Sequence, residues 1–349
     1  MPKDNENVPL FPDEPIARLE PQSFSPDQMV RCEECLRANP PTRLNCLYCA
    51  AVLPTDEITA HLQKPTLRPL EKWEQGYNNI LWTPPANPGE PGLDEAAALL
   101  KLTGADLARI LEFGMPLPVA RAATLEEALL VQRRLEPLGI GTRIVPDAEL
   151  CVEEAANIKV RAIEIDGSGI RAFQAPEAPF ILIPWSDFDL LVAGRLITRR
   201  VELKEKKGSR SQNIIVDSSE FFADEAVFEL YVKGLSTSYR FSANSFDFTC
   251  LEKAKGFLAA ENLATLLKRF RENAPGVELD ESYNLVRKAL DLVWLAEQRN
   301  ESSGWRREPL GKYSVVSATE TSSEKQFLRY SRLRYYLRTE ASAKKNEDT

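Results

Sequence analysis

The stretch Pro179–Glu205, PFILIPWSDFDLLVAGRLITRRVELKE, reads as two strands or as a strand and a short helix, and its neighbours extend it into a sheet. Upstream, IKVRAIEID (Ile158–Asp166) alternates with period two, DGSG supplies a turn, and IRAFQA (Ile170–Ala175) returns. Downstream, the basic turn KEKKGSRS (Lys204–Ser211) leads to NIIVD, and AVFELYV with SYRFSA makes a hairpin around Gly234. One strong helix follows near Leu258–Glu272, with Leu258, Leu263, Leu266, Leu267 and Phe270 as its apolar stripe. Residues 155–275 are therefore expected to form an antiparallel β-barrel of six or seven strands, its open end covered by that helix.

The preceding segment, 77–148, has a different rhythm. YNNILWT reads as a strand, and the proline-rich run Thr83–Gly92 as a long loop. LDEAAALLKL and TGADLARILEFG read as helices, the second with Thr103 and Asp106 as a capping box and Gly114 as its stop. LPVARA is a strand, TLEEALLVQRRLEPLG a helix capped by Thr124 and Glu127 and ended by Gly139, and GTRIVP a last strand. The order β-α-α-β-α-β predicts three helices on one face of a three-stranded sheet, with Leu99, Leu107, Ile110, Leu111, Leu129 and Leu135 facing it.

Nearer the N-terminus stand Cys32, Cys35, Cys46 and Cys49, two Cys-x-x-Cys pairs ten residues apart. Each pair sets two thiolates on one tight turn, and the two turns together surround a tetrahedral Zn²⁺. All four would be closed ligands of a structural site. Iron uses the same spacing in rubredoxin-like sites. Two disulfides would need an oxidising compartment, and a thioredoxin-type pair would have a single Cys-x-x-Cys opening a helix.

Three segments resemble known families. The run Cys-x2-Cys-x3-Asn-x6-Cys-x2-Cys, with Asn39 between the pairs, resembles the zinc finger of the Ran-binding nucleoporin type, although Val30 stands where that family has Trp. A generic zinc ribbon describes it equally well. The finger resemblance implies an Asn that braces the two knuckles, and binding of single-stranded RNA or of small folded proteins. The run LLKLTGADLARIL…EEALLVQRRLEPLGIGTRIV is similar to the C-terminal domain of the ribosomal stalk protein and the related protease-adaptor fold, which implies a non-catalytic interaction surface. IPWSDFDLLVAG and the barrel around it resemble a bacterial pleckstrin-homology-type domain, which implies binding of lipids or peptides.

Other features weigh less. The 349 residues carry a net charge of −8, so no overall field draws in nucleic acid or an anionic membrane. The single histidine, His61, argues against Ser-His-Asp, Cys-His and multi-histidine chemistry and reads as a linker residue. Lys204, Lys206, Lys207 and Arg210 read as a solvated hairpin tip, with phosphate or lipid contact as the alternative. Cys151 and Cys250 stand alone as small apolar residues, and Trp185, Trp294 and Phe248 read as core. An enzyme using carboxylates alone, for example Asp187 and Asp189 beside Trp185, has no supporting acid–base spacing. Tyr283, Val286, Leu290 and Val293 mark an amphipathic helix over 278–300. In the tail, KQFLRYSRLRYYLR combines five basic residues with four aromatics. It suits single-stranded RNA, as do Arg31, Arg37, Arg43, Asn45 and Tyr48 of the finger. The competing reading docks Phe327, Tyr330, Leu333 and Leu337 on the protein with the arginines in water.

The opening MPKDNENVPL has neither a basic nor an apolar leader segment, and runs such as FILI are too short to span a bilayer. A cytoplasmic protein without membrane insertion is expected. The fold expected is α+β and multidomain. It comprises a disordered acidic arm (1–28), a zinc ribbon (29–53), a linker (54–76), the α/β domain (77–148), the capped barrel (155–275), the amphipathic helix (278–300), and a polar joint with the Arg/Tyr-rich tail (301–349). The function expected is a non-enzymatic zinc-binding adaptor with protein partners; the alternative is an RNA-associated protein.

Overall fold

A computed structural model describes residues 24–54, 65–71, 73–82, 89–150, 157–175, 178–207, 213–307 and 313–347. The chain forms two compact units, 1–64 and 65–349. In the described residues of the first, strands β1 (Val30–Arg31) and β2 (Ala38–Asn39) pair antiparallel around a small core of Cys32, Cys46 and Leu53.

The second unit begins with β3 (Tyr77–Leu81), α1 (Gly89–Leu100), α2 (Gly104–Glu112), β4 (Pro118–Ala122), α3 (Leu125–Leu135), β5 (Thr142–Pro146) and the short α4 (Asp147–Leu150). Strand β3 lies between β4 and β5 and is antiparallel to both. The expected element order holds here. Thr103 and Thr124 accept hydrogen bonds from the Asp106 and Glu127 amides, and Gly114 and Gly139 take left-handed conformations at the helix ends. Some expectations fail locally. Leu129 faces solvent while its neighbours Leu130 and Val131 are buried, and Gly89–Gly92 opens α1 rather than ending a loop. The Glu127 carboxylate does not close a capping box either. It accepts from the Thr66 and Leu67 amides (2.5 and 2.7 Å) and so ties part of the expected linker to the domain.

The chain continues through β6 (Asn157–Val160), β7 (Ala162–Ile165), β8 (Gly169–Phe173), β9 (Ile181–Pro184), β10 (Phe188–Lys207), β11 (Asn213–Val232) and β12 (Ser238–Ser242). After these come α5 (Ala259–Asn273), β13 (Glu278–Asp280), α6 (Tyr283–Leu290), β14 (Glu297–Ser302), β15 (Arg306–Arg307), β16 (Tyr313–Ser322) and α7 (Glu324–Glu347). Strands β7, β8 and β9 form a small antiparallel meander. The large sheet is a curled half-barrel ordered β14-β16-β10-β11-β12-β6, with β13 parallel to β10 and β15 against β16. Its centre is a hairpin of two twenty-residue strands, β10 and β11, each about 66 Å long at ~3.3 Å per residue. The stretch read as two strands, or as a strand and a short helix, holds β9, a 3-10 turn at Trp185–Asp187 and most of β10, which runs on further than expected. Lys204, Lys206 and Lys207 lie within β10 rather than in a turn.

Near its base this sheet is buried on both faces, which explains the unbroken run DLLVA. One face sends Phe188, Leu191, Phe228 and Leu230 toward α5. There the Phe270 ring meets Trp185, Phe188, Phe228 and Phe241 at centroid distances of 5.3–5.8 Å. The apolar stripe read for this helix is buried from Leu263 to Phe270, whereas Leu258 is exposed at its N-cap. The other face sends Leu190, Val192, Val227 and Tyr231 into a core shared with Ile80, Leu107 and Ile110 of the α/β layer and with Tyr283, Trp294, Phe327 and Leu333. The segments expected as separate domains over 77–148 and 155–275 therefore share one core. Trp294 donates to the Asn78 side chain (2.8 Å) across it. Gly194 is required where the aromatics approach most closely, because a Cβ there would lie 2.7 Å from Tyr283 and 2.8 Å from Phe327.

The C-terminal region departs most from expectation. The helix expected over 278–300 is helical only at Tyr283–Leu290, and Glu297–Ser302 is strand β14, whose ladder with β16 overrides local helix propensity. The expected polar joint contributes β16, and the Arg/Tyr-rich tail is the buried helix α7. Phe327, Tyr330, Ser331 and Leu333 are fully buried. Its arginines are not left in water. Arg334 pairs with Asp280 (2.5 Å), Arg338 with Asp189 (2.8 Å), and Arg332 is 3% exposed. Among the described residues no helix is long and apolar enough to cross a membrane.

Candidate metal centre

Two equivalent turns build the site. Leu36 N donates to Cys32 O (2.9 Å) and Ala50 N to Cys46 O (3.0 Å), while Cys32 N and Cys46 N donate to Arg37 O and Ala51 O. Each turn requires a left-handed residue just after its second cysteine, and Leu36 (φ 60°) and Ala50 (φ 61°) supply it. A non-glycine residue there is strained. Ala50→Gly is therefore expected to stabilise the loaded finger by about 1 kcal/mol, read as increased resistance to chelator in a competition assay.

Cys32 and Cys46 are buried, Cys35 is half-buried and Cys49 exposed. The Sγ atoms are 3.6 Å apart for Cys32–Cys49 and 3.5 Å for Cys35–Cys46, and all four lie within 4.8 Å of one another. A tetrahedral metal with bonds of about 2.3 Å needs sulfurs about 3.8 Å apart. The four thiols thus fit a metal ion, and the spacing is compatible with zinc. Asn39, fully buried, links the two turns. It donates from Nδ2 to Arg37 O (2.9 Å) and Cys46 Sγ (3.4 Å) and accepts from Leu47 N at Oδ1 (2.8 Å).

The thiols differ in their electrostatic surroundings. Burial disfavours the Cys46 thiolate, but the Tyr48 and Cys49 amides, the Asn39 amide and the Cys35 thiol outweigh it and bring Cys46 down to about 6. At Cys49 the Ala51 amide favours ionisation, yet burial and the Cys32, Cys35 and Cys46 sulfurs push the thiol up to about 12. The Cys46 thiolate forms readily, while ionisation of Cys49 waits for a metal to balance the charge.

No protein-family model matches the chain, and neither a curated protein nor a solved structure matches it. The metal centre is therefore read from its own geometry.

The remaining candidate residues scatter. In the finger, Arg37 stacks over the Tyr48 ring (4.7 Å) and Asn45 donates to Ala50 O (3.2 Å), so both are engaged within the fold. Cys250 is half-buried, and burial raises its thiol to about 11, which suits packing rather than nucleophilic chemistry. Asp189 is held by Arg338, and Asp187 ends a 3-10 turn where Ser186 Oγ donates to it (2.9 Å). His61, Cys151 and Arg210 lie outside the described residues. Phe327 and Tyr330 of the tail are fully buried and offer no ring face to a base.

Sequence reasoning missed one surface. Strand β12 pairs with β11 only at Val227–Tyr231, so the outer edge of β11 from Asn213 to Glu225 has no strand partner among the described residues. Phe221 and Phe222 there are 56% and 66% exposed. The signal was present in SSEFFADE. Adjacent residues of a strand point to opposite faces, so two neighbouring phenylalanines can both be buried only if both faces are covered.

Proposed function

We propose that this chain is a non-enzymatic adaptor with a structural zinc finger and protein partners. The observation that carries this reading is the open edge of β11. It combines backbone with no strand partner among the described residues with the exposed rings of Phe221 and Phe222, the arrangement that accepts an added strand. The strand carries Asp217, Glu220, Asp224 and Glu225 and no lysine or arginine, and Arg199 and Arg195 of β10 pair with Glu220 and Asp224. Like charges opposite one another disfavour pairing with a second acidic copy. The partner inferred is an extended segment bearing apolar and basic side chains. The four closed thiolates support zinc as a structural ion with no open position for catalysis. The half-barrel with its covering helix supports a pleckstrin-homology-type reading, and the α/β layer a stalk-type one, both as non-catalytic scaffolds.

The test is capture from the cognate lysate with and without ribonuclease, using wild type and Phe221→Lys/Phe222→Lys. Both side chains are exposed, so the variant is expected to keep its melting temperature and lose at least about ten-fold in partner recovery. Partners that survive the nuclease and vanish with the variant support the reading. Partners lost on digestion would instead establish RNA binding.

A further inference from the structure

Away from the finger and the β11 edge, a cleft of about 310 Å³ opens between Arg68–Glu71, Arg121 of β4, the segment Val293–Gln298 and the first turns of α7. Four cations line it: Arg68, Arg121, Lys325 and Arg329. Three are matched. Arg68 pairs with Glu74, Arg121 with Asp147, and Lys325 with Glu297 (3.1 Å), which also holds Arg299 (3.4 Å).

Arg329 is different. It lies one helical turn from Lys325, on the same face of α7. Among the described residues it has no hydrogen-bond or ion-pair partner, and its Nε is shut off from solvent. A buried donor without an acceptor destabilises by about 1–3 kcal/mol, and more when charged. Burial, together with the charge of Arg121, lowers the guanidinium to about 10, while Asp147 and Glu297 act the other way. The acids on the wall do not answer it. Glu297 already has two cations, and Glu71 is exposed at the rim.

We propose that this cleft binds a phosphoryl group, received by Arg329 with Arg121 and Lys325. Guanidinium forks match the oxygens of a phosphate, and the charge-assisted bonds satisfy the buried donor. The volume exceeds a bare anion, and Leu70, Val293 and Leu295 give an apolar wall for the rest of a small phosphate ester. This inference is independent of the adaptor reading.

The experiment is calorimetric and thermal titration of the full chain with ribose 5-phosphate, inorganic phosphate and unphosphorylated ribose at low ionic strength. Wild type is expected to bind the phosphorylated probes and be stabilised by them, and to ignore ribose. Tighter binding of ribose 5-phosphate assigns an ester, and tighter binding of inorganic phosphate assigns the free anion; both support the site. Arg329→Met is expected to melt at or above the wild-type temperature without ligand and to bind at least about ten-fold more weakly, because the uncompensated charge is gone. If that variant does not fold, Lys325→Gln, whose side chain is 43% exposed, is expected to weaken binding about five-fold by removing one charge-assisted contact. Failure of both phosphates to bind wild type, or equal binding by the variant that folds, overturns the proposal.

Discussion

Stripping the metal with a chelator, or replacing Cys46 with serine, is expected to unfold residues 24–54 while residues 65–349 keep their own cooperative transition. The core of the finger comprises Cys32, Cys46 and Leu53, and its two strands are two residues each. Burial on that scale cannot offset the conformational entropy of about thirty residues, each costing roughly 1–2 kcal/mol of backbone order. Structural zinc supplies about 10–16 kcal/mol in comparable peptides, so removing it removes the fold. Cys46 is the severest single site because its sulfur also accepts from Asn39 Nδ2 and the Tyr48 amide, both at 3.4 Å. Metal analysis should return one zinc per chain for wild type and none for Cys46→Ser. Circular dichroism should show one retained melting transition. Stoichiometric iron would overturn the zinc assignment, and loss of the second transition would show that the two units fold together.

The second large effect lies at Glu229, which is fully buried on β11. Its Oε1 accepts from Arg240 Nε (3.0 Å) and Asn157 Nδ2 (3.0 Å), and its Oε2 from Tyr231 Oη and Ser331 Oγ (both 3.0 Å). Arg240, 3% exposed, also reaches Glu324 (2.6 Å). The network joins β11, β12, β6 and α7. Glu229→Leu leaves Arg240 charged and mostly uncompensated in the core, and is expected to lower stability by about 3–5 kcal/mol in urea unfolding. Glu229→Leu/Arg240→Met removes both charges and is expected to recover most of that loss. The double-mutant cycle then isolates the coupling, and strictly additive losses would show that the pair acts through separate neighbours.

Features governed by near neighbours were legible in the chain. Cysteine spacing located the cluster that could hold a metal ion, and Asn39 took the bracing position expected of it. Thr103 and Thr124 marked helix starts, Gly114 and Gly139 marked ends, and the period from Leu263 to Phe270 marked the covering helix. Glu229 also left a trace. In AVFELYV it shares a face with Val227 and Tyr231, so a carboxylate stood on a buried face and required a cation. The partner that satisfies it, Arg240, lies eleven residues on in the next strand, and local pattern does not pair the two.

Where distant segments meet, local reading went astray. Glu297–Ser302 has a composition that permits helix, and it becomes a strand because β16 offers a ladder of backbone partners. For KQFLRYSRLRYYLR the reading that docks Phe327, Tyr330, Leu333 and Leu337 on the protein is met, but it left the arginines in water, because alternating aromatics and arginines do not reveal whether a carboxylate waits nearby. In the fold, Asp280 and Asp189 meet Arg334 and Arg338, and Tyr330 also donates to Asp280, so the segment becomes a central helix. By itself, then, the sequence determined the four-cysteine cluster that could hold a metal ion, the helix limits of the α/β layer and the apolar stripe of α5, since these depend on contacts within a few residues. Only the tertiary structure decided that one core serves 77–148 and the sheet, that Arg334 and Arg338 meet carboxylates, and that Arg329 has no ion-pair partner among the described residues, because long-range charge pairing and sheet registry join residues that no local pattern relates.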